Sequence, residues 1–207
     1  PFADRPETRG FLTLDEGEIE ARMEAAHAAG LQLCVHAIGD AAVERTLALL
    51  ERVLARSPRA DHRHRLEHAS LVPPELAARI ARLGVAVSTQ PLFIHSEKAW
   101  LHRRLGAERA RHVYPLRALL DAGVLVGGAS DAPVESPDVL HAIQCCVTRE
   151  GLETHQALTP EEALVPSVLK HYDALVIYAN HETLTPAQEQ ALVDFVEGGK
   201  GVVAIHC

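Results

Sequence analysis

The stretch LQLCVHAIGD, residues 31–40, decides the fold, because a short apolar run ends there in a histidine, a glycine and an acid. Two later stretches repeat this design: RHRLEHAS at residues 63–70 and VLVGGASD at residues 124–131. Each predicts a buried strand with a metal-binding type of residue at its carboxyl end, and these residues are His36, His68 and Asp131. Barrels of alternating strands and helices place their catalytic groups at such strand ends.

Helices are predicted between these strands and a further one. The predicted strands are residues 31–38, 63–70, 85–90 and 124–129. The first predicted helix is capped by Thr13 or Asp15 and runs to residue 29, and the other predicted helices are residues 40–57, 74–83, 115–122 and 137–149. Residues 93–112 are predicted to be a partly helical loop at the mouth of the site. Strands that alternate with helices over short connections are typical of parallel βαβ units. The chain is therefore predicted to have an α/β fold that forms half of a (β/α)8 TIM barrel.

The pattern of elements changes after Leu164, where a shorter unit begins. Strands are predicted at residues 173–179 and 201–206, with a helix that begins at Thr185-Pro186 between them. The sequence therefore predicts two domains, residues 1–164 and residues 165–207, and the second contains a short C-terminal βαβ unit.

Composition excludes several classes of protein. The formal charge of −8 argues against a nucleic-acid binder, which needs a basic face for phosphates. No apolar run approaches the roughly 20 residues that span a bilayer, so no membrane partner is expected. The four cysteines show no disulfide framework, which favours a reducing compartment and predicts a cytoplasmic protein. Because the chain starts at Pro1 and ends at Cys207 directly after an apolar run, we expect a fragment.

Five motifs resemble the second half of the metal-dependent amidohydrolase superfamily: HAIGD, LEHAS, STQP, GGASDAPV and LTPEEAL. The nearest branch is the bacterial group that includes N-substituted formamide deformylases. The resemblance covers residues 1–164, and the opening PFADRPETRG is similar to the segment after the fourth strand of the family's barrel. It implies that this chain contains about strands five to eight.

The resemblance also implies a role for each predicted site residue. His36 and His68 match the family's metal-binding histidines, and Asp131 matches the aspartate that binds metal and acts as general base. The implied cofactor is a divalent metal, with zinc as the first candidate, and the implied reaction is hydrolysis of a C–N bond in an amide-type small molecule. Gln90, at the end of the third strand, is a candidate substrate contact. The family's His-x-His pair and a further ligand come from its first and fourth strands, so we expect an incomplete site here.

The tail resembles a different family. HYDALVIYANHETLTPAQEQALVDFVEGGKGVVAIHC, within residues 165–207, is similar to part of the trehalose-utilisation-type domain, which has a class I glutamine-amidotransferase-like α/β fold. Two alternatives to an active hydrolase therefore stay open. One is a catalytically inactive fragment or fusion product, and the other is a sugar-related α/β domain represented by the tail.

Other features are predicted to be structural. His62 and His64 precede a strand and are predicted to be an exposed, solvated pair, and Asp40 is predicted to cap a helix. Cys145-Cys146 is predicted to pack within a helix. A half barrel also leaves two strand edges and inward-facing apolar side chains uncovered, so we expect self-association through the open edges.

Overall fold

The computed structural model describes residues 1–10, 15–163, 174–178, 190, 193–194, 196–198 and 201–205. The chain forms two compact units. The first contains residues 1–89 and 99–126, and the second contains residues 90–98 and 127–207. Among the described residues, no helix combines the length and the apolar character that a membrane crossing requires.

Helices and strands alternate along the chain in the predicted order. The elements are α1 (Glu16–Ala28), β1 (Cys34–Ala37), α2 (Asp40–Arg56), β2 (Arg65–His68), α3 (Pro74–Leu83), β3 (Ala86–Thr89), α4 (Phe93–Glu97), α5 (Leu101–Leu105), α6 (Ala107–Ala110), α7 (Leu116–Asp121), β4 (Val126–Gly128), α8 (Val139–Thr148), α9 (Pro160–Ala163), β5 (Ala174–Tyr178) and β6 (Gly201–Ile205). Two 3-10 turns, Arg149–Gly151 and Thr154–Gln156, lie between α8 and α9.

The first four strands form one sheet in the order β1-β2-β3-β4. The pairs β1–β2 and β2–β3 are parallel, and Val87 N donates a hydrogen bond to Leu125 O at 2.9 Å beside β4. Each strand has three or four residues and lies inside its predicted range. β2 ends at His68 because His68 and Ala69 both have positive φ, which breaks the extended conformation.

Local sequence explains where α1 and α3 begin and end. The Asp15 carboxylate caps α1 by accepting hydrogen bonds from Gly17 N at 2.9 Å and Glu18 N at 3.2 Å. α3 begins at Pro74, whose missing N–H is not needed in a first turn, and ends at Gly84 with a φ of 64°. The predicted boundaries at these residues are confirmed.

Asp40 does not cap α2, which corrects the prediction. Gly39 occupies the cap position and Asp40 the first position of the helix. The Asp40 carboxylate accepts hydrogen bonds from Arg109 Nε at 3.1 Å and from Arg109 Nη2 at 3.0 Å. A guanidinium that binds both carboxylate oxygens competes with the cap geometry and fixes the acid in the first helical turn, where the helix dipole also favours it.

The core of the first unit lies where α2 meets its neighbours. α2 contacts α1, α3 and β1, and α3 contacts α7. The predicted apolar face of α2 is confirmed, because its buried residues recur at helical spacing. The buried apolar residues of α2, α3, β2 and β3 are Val43, Leu47, Leu50, Val53, Leu76, Ala77, Ile80, Leu66 and Val87.

Charged side chains, rather than an apolar stripe, attach α1 to α2. α1 buries only Met23 and His27, whereas its glutamates recur every four residues and face arginines of α2. The ion pairs are Arg45–Glu16 at 3.0 Å, Arg52–Glu20 at 2.8 Å, Arg56–Glu20 at 2.8 Å and Arg56–Glu24. Hydrogen bonding to Arg52 lowers the pKa of the Glu20 carboxyl.

One face of β1 to β3 carries mostly polar side chains that are exposed or half-buried. Cys34 and His36 are exposed on this face, and Arg65, Glu67 and Ser88 are half-buried. Arg65 Nε donates to Glu67 Oε1 at 2.5 Å. Burial alone would raise the pKa of Glu67, but hydrogen bonds from Arg65 and Ser88 outweigh it and lower the pKa. Polar side chains thus occupy these positions of β1 to β3, whereas Leu125 beside β4 is apolar and 52% exposed, so the expectation of uncovered apolar side chains and of self-association stays a prediction.

The second unit is built around α8 and the turns that follow it. Asp138 caps α8 by accepting a hydrogen bond from His141 N at 2.9 Å. The helix buries Cys145 and Cys146, as predicted. Burial raises the pKa of the Cys145 thiol to about 11 and that of Cys146 to about 12, so neither thiol is ionised near neutral pH.

In the tail, β5 and β6 pair in parallel, from Ala174 with Gly201 to Tyr178 with Ile205. The two predicted strands of the tail are thus confirmed over the residues that the structure describes. Two predictions lie outside the described residues: the change of pattern between 164 and 173, and the helix start at 185.

Candidate metal centre at the strand ends

Two of the three predicted metal ligands lie together at the carboxyl ends of neighbouring strands. His36 is the third residue of β1, and His68 is the last residue of β2. Their ring centroids are 4.5 Å apart and their planes meet at 73°, an edge-to-face arrangement. Zinc binds imidazole nitrogen at about 2.0–2.1 Å, so two rings at this separation can share one ion. His68 is buried and His36 is exposed, which leaves the pair open to solvent on one side.

An uncommon backbone conformation brings these two rings together. The strand register pairs His36 with Glu67 and Ala37 with His68, so simple alternation places the two histidines on opposite faces of the sheet. His68 has a φ of 75°, which releases its side chain from that alternation. Such a conformation costs about 1–3 kcal/mol in a residue other than glycine, and it is concentrated at functional sites. Its occurrence at a predicted ligand favours a functional role for His68.

Asp131, the third predicted ligand, belongs to the second unit and follows the end of β4 at Gly128. It is exposed and has a φ of 59°, so a left-handed backbone occurs at two of the three predicted ligands. Its carbonyl accepts a hydrogen bond from Val134 N at 2.8 Å, which closes a turn over the next residues. That Asp131 shares a site with His36 and His68 stays a prediction.

Gln90, the predicted substrate contact, also belongs to the second unit and directly follows β3. It is buried, with 3% of its surface exposed, and its carbonyl accepts a hydrogen bond from Phe93 N at 3.1 Å at the start of α4. Its role in substrate binding stays a prediction.

Histidines also occupy the opposite, amino-terminal ends of the strands. His62 and His64 are buried, with 6% and 0% of their surface exposed, so the prediction of an exposed pair is wrong. The His64 Nε2 atom lies 2.9 Å from Nδ1 of His27, and His62 Nε2 lies 2.9 Å from the carbonyl oxygen of Leu83. Local sequence patterns did not predict this network, because His64 and His62 bond to residues that are distant in the sequence.

The hydrogen bonds fix the tautomers of these rings. Leu33 N donates to His64 Nδ1 at 3.0 Å, and His64 N donates to His62 Nδ1 at 2.9 Å, so neither Nδ1 atom carries a proton. His64 must therefore donate its Nε2 proton to His27, whose own Nε2 donates to the carbonyl oxygen of Ser57 at 2.7 Å. The network is a continuous chain of neutral imidazoles with every ring nitrogen engaged, and this is a structural role rather than a catalytic one.

A second group of metal-type donors lies within the second unit, and the sequence did not reveal it. His95, His141 and Glu150 place their donor atoms within 4.8 Å of one another. Hydrogen bonds from Lys98, and then from His141 and His95, lower the pKa of the Glu150 carboxyl to about 2. His95 and Glu150 are 55 residues apart, so no periodic pattern links them. The helical spacing of His141 and Cys145 was the available signal.

Comparison with known proteins relates the chain to one family. The model of the amidohydrolase family matches residues 1–196. The chain is 31% identical over 198 residues to YtcJ, an amidohydrolase-type protein of Bacillus subtilis, covering 96% of this chain and 36% of that protein. It is 33% identical over 142 residues to the N-substituted formamide deformylase of Arthrobacter pascens, covering 65% of this chain and 26% of the enzyme. The chain thus spans only about a quarter to a third of the length of these relatives.

Two solved structures have a similar fold. An uncharacterized metal-dependent hydrolase from Pyrococcus furiosus aligns with a TM-score of 0.71 and 36% identity, covering 79% of this chain and 33% of that one. Another, from Pyrococcus horikoshii, aligns with a TM-score of 0.71 and 32% identity, covering 79% of this chain and 34% of that one. Together with the parallel strand pairs, these alignments confirm the predicted α/β fold and partial barrel.

Proposed function

The chain belongs to the amidohydrolase family, and we propose that it forms part of a metal-dependent hydrolase of C–N bonds in amide-type small molecules. The observation that carries the proposal is the contact of His36 and His68 at the carboxyl ends of adjacent parallel strands. Parallel barrels hold their catalytic groups at these strand ends. The relatives named as a formamide deformylase and as metal-dependent hydrolases support the same class of reaction.

The donor set fits a zinc-type ion. His36 and His68 provide two imidazole nitrogens, and the Asp131 carboxylate would complete the three protein ligands that catalytic zinc sites hold. Imidazole and carboxylate together suit zinc better than they suit calcium or magnesium, which prefer oxygen ligands. When bound, a divalent ion supplies Lewis acidity for the substrate carbonyl and lowers the pKa of water.

Two residues of the chain would act on the substrate. We propose that the Asp131 carboxylate accepts the proton of the attacking water and delivers it to the leaving nitrogen, as general acid–base catalysis requires. We propose that the Gln90 amide, at the end of β3, donates a hydrogen bond to the substrate.

Replacing either strand-end histidine tests the proposed metal centre. We expect His36→Ala and His68→Ala each to lower zinc affinity by at least about 10–100-fold. Loss of a residue that only supports a metal ligand already lowers affinity by this factor, and loss of the ligand itself should cost no less. Elemental analysis and titration calorimetry would measure the zinc bound by each variant. His102→Ala, which removes an exposed histidine of α5, is the matched control. Unchanged zinc affinity in both strand-end variants contradicts the proposal.

The second candidate function is that the chain alone binds metal but does not hydrolyse a substrate. It is favoured by the fact that the chain spans only 36% and 26% of the lengths of two relatives. We therefore propose that hydrolysis requires strands that this chain does not supply. Association with another copy, through the outer edges of β1 and β4 in the sheet, and a cytoplasmic location are further parts of this proposal.

The tail provides a separate proposal and a separate test. We propose that residues 165–207 form a trehalose-utilisation-type segment, although the amidohydrolase match runs to residue 196. β5 and β6 support this, because they form a two-stranded sheet of their own. Limited proteolysis should cut between Ala163 and Pro166 first and leave a resistant N-terminal piece, which mass spectrometry would identify. Equal protection across this boundary, with one cooperative melting transition, counts against a separate segment.

A further inference from the structure

We propose a second zinc-type metal site, formed by His95 of α4, His141 of α8 and Glu150 of the 3-10 turn that follows α8. All three residues lie within the second unit. The set shares no residue with the strand-end histidines, so the inference does not depend on the proposed function.

The separations between the donor atoms suit one small ion. His95 Nδ1 lies 3.0 Å from Glu150 Oε1, and His141 Nε2 lies 3.1 Å from the same oxygen. Ligands held at about 2.0–2.1 Å by a tetrahedral ion lie about 3.3 Å from one another. The two rings meet edge-to-face with centroids 4.8 Å apart, so both nitrogens reach Oε1 from different sides. Small rotations of the side chains are sufficient to form the site.

The two oxygens of Glu150 have different neighbours, although both lie within hydrogen-bond distance of His95 Nδ1. Oε1 faces both imidazoles, whereas Oε2 contacts Lys98 and lies 2.8 Å from His95 Nδ1. An ion bound by Oε1 would therefore leave Oε2 with the Lys98 ammonium. Such an outer partner orients a ligating carboxylate and is common around metal sites. On metal binding, each imidazole would carry its proton on its other ring nitrogen, or release it to solvent, and would present a bare nitrogen to the ion.

The backbone around Glu150 is held in an uncommon conformation. Arg149 and Glu150 have φ values of 55° and 45°, two successive left-handed residues without a glycine. Arg149 is fully buried, and its Nε donates to Leu152 O at 3.2 Å. Backbone strain of about 1–3 kcal/mol per residue persists only where the surroundings enforce it, and it is concentrated at functional sites. Here the buried arginine anchors a turn that directs Glu150 toward both histidines.

The donor chemistry selects the class of metal. Two imidazoles and one carboxylate, with a further position left over, form a set that also occurs in zinc enzymes. Cys145 lies one helical turn after His141, and its Sγ atom is 3.8 Å from Glu150 Oε1. The two imidazole nitrogens favour zinc or cobalt over magnesium and calcium, which prefer oxygen ligands.

Zinc and cobalt binding by the chain that carries His36→Ala and His68→Ala would test this site alone. We expect this double variant to retain about one equivalent of zinc after dialysis, measured by elemental analysis, and to give d–d absorption of tetrahedral cobalt. Adding His141→Ala or Glu150→Gln should lower the zinc affinity by at least about 10–100-fold. Glu150→Gln keeps the shape of the side chain, so a parallel thermal melt separates lost binding from lost folding.

His155→Ala is the matched control, because His155 is an exposed histidine of the same unit whose Nδ1 lies 3.4 Å from Glu153. We expect the control to bind zinc as tightly as its parent. The proposal is overturned if the double variant retains no zinc, or if His141→Ala and Glu150→Gln bind zinc as tightly as the control. Loss of zinc from the double variant, with zinc retained by the unsubstituted chain, would leave the strand-end site intact and reject only this one.

Discussion

Replacing Asp131 with asparagine is expected to lower kcat for hydrolysis of an amide-type substrate by about 10²–10⁴-fold, the contribution of a positioned acid–base group. Asparagine keeps the size of the side chain but cannot accept the proton of the attacking water. Zinc affinity should fall much less than activity, since an amide oxygen still occupies the place of the carboxylate. The measurement is steady-state hydrolysis, with zinc content determined in parallel, by a protein in which this chain is joined to the further strands that we propose hydrolysis requires.

Asp121→Asn provides the matched control for this prediction, because Asp121 is an exposed acid at the end of α7 that pairs with Arg117 at 3.5 Å. We expect the control to hydrolyse substrate at the parent rate. An Asp131→Asn variant that retains more than about a tenth of the parent kcat would remove Asp131 from the role of general base. Turnover by this chain alone would refute the proposal that further strands are needed.

Acidification from pH 6.5 to about 4 is expected to destabilise the first unit by on the order of 3 kcal/mol through His64 alone. Burial, followed by the nearby His62, His27 and Arg59, lowers the pKa of His64 from 6.5 to about 4. Between these values the unfolded chain binds a proton that the folded chain does not bind. Stability is therefore fully present above pH 6.5 and is lost as the pH falls through this window.

Urea unfolding at pH 7 and at pH 4.5 would measure this loss. His64→Gln removes the titration, and its amide can accept from Leu33 N and donate to His27, so the variant should show a smaller change between the two pH values. It should also be less stable than the parent at pH 7, because a glutamine cannot fill the place of the ring. His155→Gln, at an exposed histidine, should show the parent's pH dependence. An unchanged pH dependence in His64→Gln would show that His64 does not couple folding to pH.

The sequence predicted the strand ends well, but not the backbone conformation that brings the two strand-end histidines together. Apolar runs that end in histidine placed His36 and His68 at the carboxyl ends of adjacent parallel strands, as the structure has them. Alternation alone would separate the two rings, and only the left-handed backbone of His68 lets them meet. A local conformation of this kind depends on the tertiary environment, since nothing in the residues around His68 demands a positive φ.

The remaining differences also arise from tertiary contacts. Asp40 has the residue type and position of a cap, but Arg109, 69 residues away, binds its carboxylate. His62 and His64 look like surface residues until the partner at His27 is known. Periodic patterns report which face of an element is apolar, whereas polar pairs between distant residues leave no trace in either segment.

The polar face of the sheet has a consequence for how a complete barrel is assembled. If the chain is one part of a larger barrel, as we propose, the strand positions that carry Arg65 and Glu67 would keep this face hydrated before further strands pack on it. Packing of those strands would then resemble the docking of two hydrated protein surfaces more than the burial of an apolar core. Ionic strength would then control how tightly the two pieces hold one another, because screened charges at the joint contribute less.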